Sequence, residues 1–268
     1  MDSSAVVSLA LGNLLSPPVL AFALGLLAVA IKSDLRLPEP VYQAISIYLL
    51  LGIGIKGGVA LRDAKLTEMA LPILVTLILG VVIPLLAFVI SGWLTRLDAL
   101  NRGALAAHYG STSLVTFTAA LVFIEASGQF AEGYLVTLLA ILEVPGIIVG
   151  LLLASRSRGQ SIDWGESLRE VLTGRSIVLL VGGLAIGVAS GSAGFASIEP
   201  LFGGLFTGIL TLFLLELGIV AGRRLPDVRR YGVGLIAFGT LFPLLAGALG
   251  VVGGLAAGLS VGGAALLG

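Results

Sequence analysis

The chain of 268 residues is 57% hydrophobic and only 11% charged, and its 15 basic residues are balanced by 15 acidic ones. A soluble domain carries about 25% charged residues, so this composition excludes a chain that covers itself with a water-facing surface. The zero net charge excludes a nucleic-acid-binding protein, and the lack of cysteine excludes a disulfide framework and a thiolate metal site.

Apolar runs close to the roughly 20 residues that cross a bilayer predict an all-α polytopic membrane protein. In chain order we predict spans at about residues 16–31, 38–61, 69–95, 99–124 and 133–155. A polar loop at 155–175 follows, with further spans at about 177–189 and 200–222. An eighth span begins near residue 231, and a ninth near residue 259.

The fourth span is unusually polar between residues 103 and 118. It holds the only histidine, His108, a glycine at position 110 and five hydroxyl side chains: Ser111, Thr112, Ser113, Thr116 and Thr118. Polar, glycine-broken backbone inside a membrane is tolerated only where protein or water covers it. Such breaks are typical of substrate sites in transporters, because the freed backbone groups bind ions. We therefore predict a broken helix near residues 108–113 that forms the ion-binding site.

The residues of this break suit two kinds of ion. Hydroxyls and bare carbonyls beside Gly110 supply oxygen ligands for a cation such as sodium, and a half-helix that begins after the break directs N–H groups at an anion. The candidate site residues are Gly110, Ser111, Thr112, Ser113 and Thr116. The alternative is that these hydroxyls only join packed helices.

Four ionisable residues at membrane depth are further candidates. Glu143 precedes Pro145, which frees a carbonyl one turn back, so we place a possible Na+ site at Ser111, Ser113 and Glu143. Lys56 and Glu216 are possible structural or gating charges that could pair with each other. His108 is a candidate for a hydrogen-bonded structural or gating role.

A weak internal repeat relates the two halves of the chain. With a shift of 160 positions, Glu39-Pro40 meets Glu199-Pro200, Gly58 meets Gly218, and Lys56 meets Glu216. If the N-terminus lies outside, 12 of the 15 basic residues fall in cytoplasmic connections, as the positive-inside rule requires. Five spans in each half then predict two inverted five-helix repeats in one membrane.

The repeat also predicts the domain organisation. Residues 1–154 form the first transmembrane repeat, 155–175 a cytoplasmic linker loop, and 176–268 a second repeat that is incomplete at its C-terminus. The counterpart of the break would fall just beyond Gly268. On this interpretation the last one to two spans are missing from the sequence.

Three classes of protein remain open on the residues alone. A secondary transporter accounts for the repeat and the broken polar span. An intramembrane hydrolase would need a catalytic base beside a serine, and the single histidine, only three residues before Ser111, disfavours it. A purely structural or partner-binding membrane protein would not need hydroxyls clustered at a helix break.

Several motifs, in this order along the chain, are similar to the SbtA family of sodium-dependent bicarbonate transporters. They are Ser16-Pro-Pro-Val-Leu-Ala-Phe22, Lys56-Gly-Gly58 with Leu61-Arg62, Leu66-Thr-Glu-Met69 with Leu71-Pro72, Gly110-Ser-Thr112, and Glu143-Val-Pro145. The likeness covers nearly the whole chain.

The resemblance implies ten spans in two inverted repeats, divided into core and gate domains, and a homotrimer. It implies sodium-coupled uptake of bicarbonate across a cell inner membrane, with sodium as the coupling ion, no other cofactor and no enzymatic activity. Gly110, Ser111, Thr112 and Ser113 match the family's broken-helix site. A PII-like cytoplasmic regulator is a further partner that the resemblance suggests, and a carrier of another small anion is the alternative function.

Overall fold

The computed structural model describes residues 11–12, 14–156 and 164–268, and within these ranges the chain forms helices and short connections without a strand. The helices named below are α1 Pro17–Ala30, α2 Glu39–Asp63, α3 Leu66–Leu94, α4 Ala99–Gly110, α5 Leu114–Ala126, α6 Leu135–Arg156, α7 Trp164–Leu172, α8 Arg175–Glu199, α9 Phe206–Tyr231, α10 Val233–Ala256 and α11 Val261–Leu267. A single π-helical turn, Pro200–Gly204, joins α8 to α9. The predicted all-α architecture is confirmed.

Six of the described helices are long and apolar enough to cross a membrane. They are α2, α3, α6, α8, α9 and α10, and the most apolar window lies in α3, with a mean hydropathy of 3.1. The helices α1 and α5 are shorter but also apolar. Length and composition together therefore define a membrane protein.

Most predicted spans coincide with helices to within a few residues, but the linker and the sixth span differ from expectation, and the seventh span, predicted at 200–222, is the helix Phe206–Tyr231. The predicted linker at 155–175 contains the helix α7, which the sequence pattern did not indicate, and residues 157–163 of that linker lie outside the described range. The sixth span, predicted to end at residue 189, continues as helix to Glu199.

A glycine explains why α8 bends where the apolar span was expected to end. Gly191 has φ 62° and ψ −169°, a conformation that is essentially restricted to glycine. The bend exposes the carbonyl of Val188, which accepts a hydrogen bond from Arg62 Nη1 at 3.4 Å. The helix therefore turns at Gly191, and the segment after it leads to α9.

Four helices, α1, α2, α8 and α9, form one packed group through glycine contacts. A methyl group on Gly58 would overlap the Leu184 carbonyl in α8, and one on Gly218 would overlap the Phe22 carbonyl in α1. Glycine lets helix backbones approach this closely within a bilayer. The same contact thus occurs twice, between α2 and α8 and between α9 and α1.

The order of these contacts fixes the helix directions. Gly54 lies by Leu180 and Gly58 by Leu184, so α2 and α8 are parallel, and similar contacts make α1 and α9 parallel. The ring stacks Tyr42–Phe213 and Tyr48–Phe202, each at 5.2 Å, run in opposite order along the chain, so α2 and α9 are antiparallel. It follows that α1 and α8, which begin the two halves, run in opposite directions.

The second group consists of α3, α4, α6, α10 and α11, with α5 beside it. Helix α4 is capped by Asp98, whose side chain accepts a hydrogen bond from the Asn101 N–H at 2.8 Å. Arg102 then fixes α4 to α3 by donating two hydrogen bonds to the Phe88 carbonyl, at 3.1 and 2.7 Å. This group holds the polar break.

Candidate functional site

The fourth span is a discontinuous helix, as predicted. Helix α4 ends at Gly110 and α5 begins at Leu114, and the caps Ser111 and Ser113 both have extended backbone, with ψ 157° and 105°. The carbonyl end of one half-helix and the N–H end of the other therefore meet within the span. These ends carry opposite partial charges, so they favour a cation and an anion respectively.

Close packing against α6 holds the end of α4 in place. The two helices meet along small residues, with Gly103 against Ala154, Ala107 against Gly150, and Gly110 against Gly146. A methyl group on Gly146 would overlap the Gly110 backbone carbonyl. The backbone of the break thus rests directly on the backbone of α6.

A cavity of about 630 Å³ opens beside the break. Its wall includes the continuous segment from His108 to Ser113 together with Thr116. Apolar residues of α6, Pro243 and Ala246 of α10, and the last residues of α11 complete the wall. A mostly apolar cavity with a few convergent polar groups is the usual form of a site for a small ligand.

Two hydroxyls mark the end of α5 that faces this cavity. Ser113 Oγ accepts hydrogen bonds from the Thr116 N–H at 3.3 Å and from the Thr116 hydroxyl at 3.0 Å. Both residues are exposed to the cavity. Hydroxyls and N–H groups at a helix N-terminus are suited to bind a small anion.

Oxygen atoms gather on the other side of the break, around Thr112. The Thr112 hydroxyl lies 3.4 Å from the Leu139 carbonyl oxygen and also interacts with the Glu143 carboxyl group. Pro145 lacks an N–H, which leaves the Ile141 carbonyl without its usual helical donor. Carbonyl, hydroxyl and carboxylate oxygens are suitable ligands for a hard cation.

The structure thus divides the predicted site residues into two subsets. Gly110, Ser111, Thr112, Ser113 and Thr116 all line the cavity, whereas Glu143 interacts with Thr112 and is not part of the cavity wall. Within the described residues, histidines, cysteines and carboxylates nowhere gather in threes as a metal site. The sodium site at Ser111, Ser113 and Glu143 therefore stays a prediction, of which only the two serines line the cavity.

His108 lies in the last turn of α4, and its exposed ring faces the cavity. The ring is perpendicular to Tyr109, with centroids 5.6 Å apart. Tyr109 in turn packs edge-on against Phe238 and Phe242 of α10, each at 5.3 Å. This aromatic cluster connects the break to α10. The sequence analysis missed it, since the partners are over 100 positions apart.

The suggested pair of Lys56 and Glu216 is wrong. Lys56 Nζ lies 3.9 Å from Glu125 Oε1 of α5, and Glu216, buried within its helix group, accepts a hydrogen bond from the Leu37 N–H at 2.8 Å. Although α2 and α9 contact each other through aromatic rings, Lys56 is directed to Glu125 of α5, and Glu216 to the connection that precedes α2. Each charge therefore finds a different partner.

These different environments lead to different stability effects. We expect Glu216→Ala to lower the free energy of unfolding by about 1–3 kcal/mol, because it leaves the half-buried Leu37 N–H without its acceptor. Glu125→Ala should cost less than about 1 kcal/mol, since its pair with Lys56 is largely exposed. Denaturant unfolding in detergent measures both. Equal losses in the two variants would contradict the difference in burial.

A discontinuous helix whose two ends meet at a cavity in mid-span is the arrangement that secondary transporters use to bind ions. Comparison with known families agrees with this class: the model of the Na+-dependent bicarbonate transporter superfamily matches residues 17–268. The chain belongs to this superfamily. A comparison with curated proteins gives no match.

Proposed function

We propose that the protein is a symporter that couples the uptake of bicarbonate to the sodium gradient. The observation that carries the proposal is the meeting of the α5 N-terminus with the oxygen cluster at Thr112 beside a single cavity. Membership of the superfamily supports sodium and bicarbonate as the ions, and favours transport over catalysis. Both ions then bind at the same break in the membrane span.

The anion binds at the N-terminus of α5. Ser113 and Thr116 offer hydroxyls there. Ser113 Oγ already accepts the Thr116 N–H, and the N–H groups before it have no acceptor within their own helix. Bicarbonate is planar, carries one charge and has three oxygen atoms, so it accepts several such hydrogen bonds at once. The half-helix dipole adds attraction for the negative charge.

Sodium binds on the α4 and α6 side of the break. Thr112 Oγ1, the Leu139 carbonyl and the Glu143 carboxylate are its proposed ligands, with carbonyls at the end of α4 nearby. A cation held here lies beside the bound anion, so each ion strengthens the binding of the other. This electrostatic coupling is the basis of symport.

The helix directions support two inverted repeats. Two halves related by an axis in the membrane plane would account for the opposite course of α1 and α8 and for the paired contacts at Gly58 and Gly218. We further propose a homotrimer in a cell inner membrane with the N-terminus outside, and a PII-like regulator as a possible cytoplasmic partner. These proposals rest on the resemblance and on the distribution of basic residues.

Uptake of labelled bicarbonate into proteoliposomes tests the function. The assay is run at mildly alkaline pH, where little CO2 is present to cross the bilayer, with an inward gradient of sodium or of potassium. We expect uptake only with sodium, and we expect Ser113→Ala to reduce it. Thr211→Val serves as a matched control, since its hydroxyl bonds only to the Thr207 carbonyl within α9.

The results test the identity of the transported anion separately from its coupling to sodium. The proposal is supported if unlabelled bicarbonate suppresses the sodium-driven uptake of the label, whereas nitrate or formate does not. Sodium-driven uptake of another small anion alone would overturn bicarbonate as the substrate. A correctly folded chain without sodium-dependent uptake or binding of any anion would overturn symport.

A further inference from the structure

The loop between α5 and α6 meets the start of α11. Glu132 in this loop accepts a hydrogen bond from the Ser260 N–H at 2.6 Å and lies 3.1 Å from the Ser260 hydroxyl. The same hydroxyl donates to the Phe130 carbonyl at 2.9 Å and accepts the Gly263 N–H at 3.0 Å. One serine thus joins the two loops, which are some 130 positions apart in the chain.

The first turn of α11 is shaped to receive this loop. A methyl group on Gly262 would overlap the Phe130 carbonyl, and one on Gly263 would overlap the Glu132 carboxylate. Glycine at both positions therefore allows the loop to rest on the helix. The contact is specific because it combines hydrogen bonds with a close fit of backbone atoms.

The opposite end of α11 reaches the cavity. Ala265, Leu266, Leu267 and Gly268 line its wall, opposite the break at Ser111 to Ser113. Residues Val261–Leu267 are helical, so the hydrogen bonds at Ser260 help to hold the residues that line the cavity. The same residues also pack on α10, with Gly268 against Gly247 and Gly250, so Ser260 is one of two attachments of this wall.

We propose that Glu132 is a positioning residue for ion binding: its carboxylate holds Ser260, and thereby fixes the end of α11 against the broken helix. This inference rests on the proposed function for its effect on transport. It assigns Glu132 no contact with either ion. The hydrogen bonds, rather than the negative charge, carry the role.

Kinetics of bicarbonate uptake separate positioning from a general loss of structure. In Glu132→Ala we expect the KM for bicarbonate and the half-saturating sodium concentration to rise about tenfold, with the maximal rate within about twofold, from the loss of the hydrogen bond that the Ser260 N–H donates. Glu132→Gln retains an acceptor for the Ser260 N–H and a donor to its hydroxyl, so it should restore both constants to within about threefold. Glu68→Ala is the control, since Glu68 pairs only with Lys65 at the same end of the protein.

A distance measurement tests whether Glu132 holds α11 in place, and it does not depend on a transport assay. The chain has no cysteine, so Trp93→Cys and Val261→Cys, both at exposed positions, give one defined spin-label pair between α3 and α11. We expect a single narrow distance distribution in the parent and in Glu132→Gln, and a broad or displaced one in Glu132→Ala.

The transport and distance measurements test the proposed function and the role of Glu132 separately. Two results would overturn the role of Glu132 in holding α11. One is an unchanged distance in Glu132→Ala, and the other is a Glu132→Gln variant as impaired as Glu132→Ala. A parent protein that does not transport bicarbonate overturns the proposed function, and the distances then still decide whether Glu132 holds α11.

Discussion

Gly146→Ala is expected to remove the sodium-dependent stabilisation of the protein and to lower the free energy of unfolding by about 1–3 kcal/mol, the usual cost of forcing atoms into a packed interior. The added methyl group would overlap the carbonyl carbon and oxygen of Gly110. These are backbone atoms, so no side-chain rotation relieves the overlap. The α4 end must move away from α6, and Thr112 then loses its position beside Leu139 and Glu143.

Thermal unfolding in detergent, with sodium or with potassium, measures this effect. A ligand that binds only the folded state raises its stability, so the parent should unfold at a higher temperature in sodium. Gly182→Ala is the matched control, because a methyl group there meets no atom within 4 Å. It should leave both the stability and the sodium effect intact. A Gly146→Ala variant that keeps its full sodium response would show that the contact at Gly110 does not organise the site.

The broken helix was predictable because its signal is local. Gly110 and the adjoining hydroxyls interrupt an apolar span, and the conflict between polar residues and membrane depth has few structural solutions. The predicted break near 108–113 and the structural break at Ser111 to Ser113 therefore agree. The spans were predictable for the same reason, since their length is set by the bilayer.

The features that the sequence did not predict depend on contacts between distant residues. Lys56 has Glu125 as a partner only because α2 passes the end of α5, and no local pattern records this. The bend at Gly191 was hidden among many glycines, most of which serve packing. Its positive φ distinguishes it in the structure, but not in the sequence.

The same limit applies to the location of Glu143. Its position before Pro145 identified it as a candidate, but helical spacing alone did not show that it interacts with Thr112 without lining the cavity. Its distance from the anion end of the break has a mechanistic meaning. A carboxylate in the cavity wall next to the anion would repel it, whereas one near Thr112 and outside that wall would attract the proposed cation. The proposal therefore places the two ions at adjacent sites.

Glu143→Gln is expected to raise the half-saturating sodium concentration for transport by at least about tenfold, or about 1.4 kcal/mol, because it removes the negative charge proposed to face the cation. The amide has nearly the same size, so the packing of α6 is preserved. Sodium titration of bicarbonate uptake, at a fixed bicarbonate concentration, measures the shift. Unfolding in the absence of sodium should change little.

Thr112→Val tests whether Glu143 acts through the same sodium site. If both side chains hold one cation, each single variant impairs sodium binding, and the double variant is less impaired than the sum of the two predicts, because residues that share a partner are not additive. Glu68→Gln controls for the loss of a carboxylate elsewhere, since that side chain is exposed and pairs with Lys65. Fully additive effects of Glu143→Gln and Thr112→Val would place the two residues at separate sites. An unchanged sodium constant in Glu143→Gln would exclude this carboxylate as a ligand and leave the cation to the hydroxyls and carbonyls of the break.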